Sequence, residues 1–504
     1  MTGGRLAELA RLHGIQPAYR DAFGHRREAS RETLLALLRT LGVPVESSAD
    51  VPALLESRRE ELERRPAEPV AVAWEGRLEL PVRFPSPGGA PETVGCELQL
   101  EGGGTRRWRL APERGPGGTK ESGEPRHVLR LPGTLPLGYH RLHLELDRGS
   151  ADVLVLAAPR RAFGSERDPT APREPRAWGV FLPLHALRTA RSWGTGDLTD
   201  LARLTGWVAG AGGGMVGTLP LYASFLGAGR EPFEPSPYAP ASRLFWNELY
   251  ADPEAAPELE RSKLARELLG STAFREELAD LRNADLVDYR QAMRVKRRVL
   301  RALAEAAFED GGVARRAELE AFVREHPELE DYAAFRARTE RDGPWGTWGG
   351  RPDEVDPDSR HYHLYVQWLV HSQMGALAAV YLDLPLGVHP DSYDLWRHRE
   401  LFAEGVSAGA PPDPFFSRGQ SWGFPPLHPE RQRAEGYAHL RRVLSAAMEA
   451  SGVLRIDHVM ALHRLFWVPS GHDATEGAYV RYPAEELYAL LTLESHRHRT
   501  VLVG

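Results

Sequence analysis

From about residue 177 the sequence alternates short apolar runs with stretches of helical spacing, and that alternation restricts the fold more than any other feature. Five runs stand out: Ala177–Leu184, Met215–Tyr222, Leu377–Val388, Val453–Val459 and Thr500–Gly504. Strands separated by helices cannot close as hairpins. Each return needs a crossover, so the runs are expected to form parallel βα units of an α/β fold. Between the second and third runs, an Arg/Glu/Ala/Leu-rich region from about 254 to 340 reads as helical, inside an insertion extending to about 374. Strands of a parallel barrel carry their chemistry at their C-terminal ends, where long insertions shape substrate grooves. No repeat of solenoid period is visible.

The first 176 residues follow different rules. Residues 1–50 read as two short helices. In the second, Ser30 is positioned to cap, Leu34, Leu35, Leu37, Leu38 and Leu41 form a stripe, and Gly42 with Pro44 ends it. Residues 66–158 carry short alternating runs such as Val70–Trp74, Glu97–Glu101, His140–Leu146 and Asp152–Leu156, separated by Gly/Pro-rich turns. That pattern predicts a small antiparallel β-sandwich. The charged, proline-bearing stretch 159–176 reads as a linker, leaving 177–504 for the parallel region.

Composition narrows the function classes. A chain of 504 residues with 42% hydrophobic and 26% charged residues has the balance of a soluble globular protein with more than one core. Its formal net charge is −7 and its 63 Lys+Arg are dispersed, so neither nucleic acid nor an anionic membrane is an expected partner. The single cysteine, Cys96, excludes an internal disulfide and a paired-thiolate metal site. No metal or cofactor is expected. The charged N-terminus is unlike a signal peptide, which points to the cytoplasm. The uncharged run Gly206–Gly229 holds eight glycines and Pro220, and reads as a loop feeding a strand rather than a membrane helix.

The segment Val453-Leu-Arg-Ile-Asp-His-Val459 carries the sharpest chemical cue. Side chains alternate along a strand, so Arg455 and Asp457 share one face. Two charges near the end of a doubly buried strand are costly unless paired or functional. Arg455 beside Asp457 would keep the carboxylate ionised, as a nucleophile requires; a structural ion pair is the alternative. A second cue is the proline-framed loop 411–426, which presents Phe415, Phe416, Trp422 and Phe424. Flat aromatics stack on the apolar faces of sugar rings, although such a loop can equally be pinned to the core by them. Ser236-Pro-Tyr-Ala-Pro240 presents Tyr238 in a similar frame.

Weaker signals are set aside. Gly212–Gly217 spells G-x-G-x-x-G but precedes a strand, so no helix N-terminus would meet a pyrophosphate. His361, His363 and His371 cluster without a metal-ligand pattern. Asp197 follows Ser192-Trp-Gly-Thr-Gly196 where a loop enters a helix, and is expected to serve as an N-cap.

Taken in order, Arg191-Ser-Trp-Gly-Thr-Gly-Asp197, Ser236-Pro-Tyr238, Asp383-Leu-Pro-Leu-Gly-Val388 with Asp391, Ser392 and Trp396, Gly409–Pro414, Gly419–Gly423 and Leu454-Arg-Ile-Asp-His458 closely resemble the amylomaltases of glycoside hydrolase family 77. Phe466–Gly471, Gly477–Val480 and Leu135-Pro-Leu-Gly-Tyr-His-Arg-Leu142 extend the resemblance, the last toward the longer bacterial form. The resemblance implies a (β/α)₈ TIM barrel, of which about five of eight strands would be present. It also implies 4-α-glucanotransferase activity, with α-1,4-glucan segments moved between maltodextrin donor and acceptor by a retaining mechanism. Asp457 is then the nucleophile and Arg455 its supporting neighbour, with Tyr238, Trp422, Asp391 and His458 binding substrate.

A retaining pair needs a second carboxyl group about 5–5.5 Å from the nucleophile. In the family a Glu follows the fifth strand at once, whereas this sequence ends Thr500-Val-Leu-Val-Gly504. The acid/base Glu is therefore expected beyond Gly504, and the chain alone is expected to have little transferase activity. An amylase-type α-glucan hydrolase and a non-catalytic glucan-binding fragment are the alternatives. Chain-length preference and oligomeric state are not encoded in any motif.

Overall fold

The computed structural model describes residues 2–84, 90–115, 127–146, 149–164, 177–309, 313–349, 356–377 and 380–504. Contacts group the chain into two compact units: residues 1–168, 400–445 and 458–501, and residues 169–399, 446–457 and 502–504. The segments 400–445 and 458–501 thus pack with the N-terminal residues, a grouping that linear order does not show. Of the expected linker 159–176, residues 165–176 lie outside the described residues.

The second unit is built on a five-stranded sheet whose strands are neighbours in sequence order: Gly179–Phe181, Met215–Gly217, Val380–Leu384, Val453–Ile456 and Val501–Val503. The first four pair in parallel, with Val216 opposite Val380 and Tyr381 opposite Val453. Each strand is shorter than its apolar run. Pro183, Pro220 and Pro385 lie inside the first three runs, and a residue without an N–H cannot continue a ladder. Residues 378–379 of the third run lie outside the described residues.

Between the second and third strands come the helices Lys263–Gly270, Thr272–Asn283, Tyr289–Phe308, Val313–Glu325, Glu328–Asp342 and Pro357–Gly375. Serines and aspartates start several of them: Ser262, Ser271, Asp288 and Asp356 each accept a backbone N–H of the first turn. The last four helices contribute to a core around Phe225, Phe245, Tyr332, Phe335 and Tyr393.

In the first unit, Ser30 caps the helix Arg31–Thr40 by accepting from Thr33 N, and Gly42 turns the chain at φ +83°. The β region holds a five-stranded sheet in the order Val70–Trp74, Ser150–Ala158, Gly138–Glu145, Val94–Gln99, Thr105–Leu110. A three-stranded sheet, Glu79–Val82, His127–Arg130 and Glu113–Arg114, shares its core through Leu80, Val82 and Leu129 against Leu98, Leu142 and Leu144. The all-antiparallel expectation needs one correction. Val70–Trp74 runs parallel to Ser150–Ala158, with Val70 opposite Leu154. After Trp74 the chain turns through Glu75 and Gly76, both at positive φ, into the smaller sheet and returns only by a long crossover. A Cβ on Gly76 would lie 2.2 Å from the Leu135 carbonyl oxygen, so that turn accepts only glycine.

The C-terminal helix Ala484–His498 packs on this larger sheet. Tyr139 donates to Glu494 at 2.5 Å and Trp74 to Glu485 at 2.8 Å. A separate four-stranded antiparallel sheet joins Val406–Ala410, Gln420–Ser421, Arg464–Pro469 and Ala478–Arg481.

Candidate active site

In the second unit, Asp383 and Arg455 are cross-strand partners at the C-terminal ends of the third and fourth parallel strands. Arg455 Nη1 donates to both Asp383 oxygens, at 2.7 and 2.9 Å. Its Nη2 lies 2.8 Å from Asp457 Oδ1. Asp457 stands one residue past its strand, where its backbone N–H still donates to Leu384 O at 3.1 Å. The i, i+2 spacing read from the sequence therefore does put Arg455 and Asp457 in contact.

Tyr238 completes a quartet by donating its phenol to Asp383 Oδ2 at 2.8 Å. Burial pushes the Tyr238 hydroxyl up, and the hydrogen bond to Asp383 adds to the shift, so the phenol remains a donor at neutral pH. Burial also raises Asp383 from the ordinary carboxylate range, against the opposing pull of Tyr238 and Arg455. Burial alone would weaken Arg455 as a cation, but its bonds to Asp383 and Asp457 outweigh that and raise it further.

The quartet is graded in exposure. The Asp383 side chain is 2% exposed, Asp457 26% and Arg455 36%. Asp383 is fully occupied, whereas Asp457 Oδ2 has no hydrogen-bond partner among the described residues. The geometry thus offers one accessible carboxylate, clamped through its other oxygen by an arginine that is itself fixed from behind.

Asp383 was not among the candidate residues from sequence. An acidic side chain two positions before the proline of Asp383-Leu-Pro385, on a strand otherwise buried, was the signal available. Asp391 lies in the same unit, in the loop after the third strand, and does not contact the quartet directly. Its N–H donates to His389 Nδ1 at 3.0 Å, its carboxylate lies 3.8 Å from that nitrogen, and burial raises it.

Trp422 and His458 belong to the first unit and touch edge to face, with ring centroids 5.1 Å apart. Trp422 also stacks with Phe424 at 6.1 Å. His458, the residue after Asp457 in sequence, holds φ +49°, a left-handed conformation that is strained for a non-glycine residue. In the loop 411–426, Asp413 accepts the N–H groups of Phe415 and Phe416, and both rings project outward, 90% and 52% exposed. These two aromatics do not pin the loop to a core.

The weaker sequence signals have structural surroundings. Asp197 caps the helix Leu198–Gly210 in a reciprocal capping box with Asp200. Gly212–Gly217 runs into the strand Met215–Gly217. His363 is buried against Glu340 at 2.7 Å, and His361 stacks on Phe308. Among the described residues there is no group of three or more His, Cys, Asp or Glu able to hold a metal ion, and no helix long and apolar enough to cross a membrane.

A parallel sheet bearing an Asp–Arg–Asp cluster at its C-terminal strand ends defines an α/β protein of the kind whose ligands meet those ends. Residues 182–504 match the family profile described as 4-alpha-glucanotransferase, glycoside hydrolase family 77. Residues 66–159 match the MalQ N-terminal beta sandwich domain. The chain is 36% identical over 539 aligned positions to the 4-alpha-glucanotransferase of Mycobacterium tuberculosis, covering 99% of this chain and 71% of that protein. With the 4-alpha-glucanotransferase of Haemophilus influenzae it is 32% identical over 413 positions, covering 75% of this chain and 58% of the other. Its structure matches the amylomaltase from Corynebacterium glutamicum with a TM-score of 0.82 at 29% identity, covering 99% of this chain and 71% of that one. The chain belongs to the 4-alpha-glucanotransferase family, glycoside hydrolase family 77.

Proposed function

We propose that the chain forms the nucleophile side of a 4-α-glucanotransferase that moves α-1,4-glucan segments between maltodextrins by retaining double displacement on a TIM-barrel framework. The observation that carries this reading is the Arg455-held, solvent-reachable carboxylate of Asp457 at the end of a parallel strand. Asp457 attacks the anomeric carbon of the donor, the glycosidic bond to the leaving glucan breaks, and a covalent glycosyl-enzyme forms. Arg455 fixes the attacking carboxylate, and Asp383 with Tyr238 fixes Arg455. Tyr238, Asp391, Trp422 and His458 supply sugar contacts, the aromatic rings stacking on apolar sugar faces and keeping water from the intermediate.

The mechanism needs a second carboxyl group to protonate the leaving oxygen and later deprotonate the acceptor 4-hydroxyl. Asp383 cannot serve, because both its oxygens are engaged and it is buried. We assign the acid/base role to a glutamate outside this quartet.

Maltotriose tests both parts. The 504-residue chain alone should yield almost no glucose and no longer maltodextrins. Robust disproportionation would remove the separate acid from the account. Fused to the C-terminal remainder of the Mycobacterium tuberculosis relative, the chain should release glucose together with longer maltodextrins. Reducing sugar without longer products would make it a hydrolase, and binding without turnover a glucan-binding protein.

A further inference from the structure

The second unit carries an open cavity of about 640 Å³ whose wall holds six arginines: Arg290, Arg294, Arg297, Arg298, Arg301 and Arg341. The first five lie on the helix Tyr289–Phe308, where steps of four, three, one and three residues place them on one face. Stacking Arg290, Arg294 and Arg298 at i, i+4 spacing is repulsive, and helices usually place a carboxylate in such a position.

Some of this charge is answered. Arg298 bonds to Glu277 at 2.7 Å, Arg341 to Asp342 at 2.7 Å, and Arg297 to Glu340. Arg290 and Arg294 are different. The Arg290 guanidinium lies 3.6 Å above the Phe233 ring, and Arg294 has no hydrogen-bond or ion-pair partner among the described residues. Arg297 is buried over the Tyr362 ring, its Nη1 3.8 Å from Glu248 Oε1, and among the described residues its Nε has no hydrogen-bond partner.

Glycines bring the segment 227–229 close against Arg290 and Glu340. A Cβ on Gly227 would lie 2.5 Å from Arg290 Nη1, and one on Gly229 would lie 2.1 Å from the Glu340 carbonyl oxygen. Both glycines have positive φ, so side chains are excluded there by conformation as well as by space.

We propose that this cavity binds a sugar phosphate, with its phosphoryl group between Arg290 and Arg294. Guanidinium forks match phosphate oxygens in pairs and remain charged at every physiological pH. The volume falls in the range of small-ligand sites, and a bare phosphate would leave most of it empty. Leu226, Met293 and Ala337 offer an apolar floor for a sugar ring, and Asp356 and Ser359 offer hydroxyl partners. Among the described residues of the lining there is no aromatic ring to stack a nucleobase, and the adjoining Phe233 ring is covered by Arg290.

Calorimetric titration of the full chain in a phosphate-free, low-salt amine buffer tests this, using glucose 6-phosphate, inorganic phosphate, pyrophosphate, ADP and glucose as probes. Glucose 6-phosphate should bind one to one and saturably, and glucose should not bind. The double variant R290Q/R294Q, at two exposed positions, should weaken binding tenfold or more, and R290K/R294K should fall between it and the parent. Melting temperature and circular dichroism would confirm that both variants are folded, and R26Q/R64Q should bind like the parent. Absent binding, or equal affinity in parent and R290Q/R294Q, overturns the site. Inorganic phosphate or pyrophosphate binding as tightly as glucose 6-phosphate overturns the sugar, and tighter ADP binding overturns it in favour of a nucleotide.

Discussion

Arg191 and Arg455 each gather aspartates in the second unit, and the two clusters are closed to different degrees. Arg191 contacts Asp197, Asp200 and Asp252 at 2.7, 3.0 and 2.5 Å, and those side chains are only 3%, 0% and 3% exposed. Every one has further work: Asp197 and Asp200 form the capping box, and Asp252 accepts from the N–H groups of Glu254 and Ala255. Arg455 holds one equally buried aspartate, Asp383, and one that is 26% exposed, Asp457. Both clusters use one arginine to hold several carboxylates. In the first, the lone pairs are consumed by caps and turns. In the second, the buried member is satisfied and the outer one keeps an oxygen free. An Arg–Asp pair therefore identifies a candidate nucleophile only when its surroundings leave a lone pair unspent.

The comparison can be broken by substitution. The largest effect is expected from D457N in a form of the protein that carries out glucan exchange. Loss of the proposed nucleophile should lower kcat on the order of 10⁴-fold, with stability changed by no more than about 1 kcal/mol. Measuring exchange alongside urea unfolding separates the two, and a stability loss matching the activity loss would make Asp457 a structural residue. The reverse is expected for R191M. Leaving three buried carboxylates without their cation should destabilise the second unit by roughly 3–5 kcal/mol, while folded molecules keep their turnover. If R191M unfolds like its parent but loses activity, the division between the clusters fails.

The smallest effect concerns pH. Burial raises Asp383 in the folded chain, so over the window from the ordinary carboxylate range up to that raised value the native state binds more protons than the unfolded state. Stability from this group is present below the window and lost as pH rises through it. Urea midpoints of the parent relative to D383N should therefore shift in the parent's favour as pH falls from 7 toward 4. A shift in the opposite sense would mean that Arg455 and Tyr238 prevail over burial.

Much of this site was legible in sequence because its logic is local. Alternation along Val453–Val459 sufficed to put Arg455 beside Asp457, and a loop-to-helix junction sufficed to read Asp197 as a cap. Asp383 was harder, because its partnership with Arg455 depends on which strands are neighbours and on their register. The arginine-lined cavity was harder still. The spacing in Tyr289–Phe308 is visible in the sequence, but that part of this face fronts a void is a property of packing.

The sequence alone determined where strands and helices form and which residues share a face, because periodicity, proline and capping act within a few residues. It also determined family membership through motifs spread along the chain. Only the tertiary structure decided that Val70–Trp74 pairs in parallel with Ser150–Ala158, that Asp383 lies beneath Arg455, and that residues 458–501 pack with the N-terminal β region. Those outcomes depend on contacts between residues tens to hundreds of positions apart, where burial and register choose among pairings that local rules leave equal.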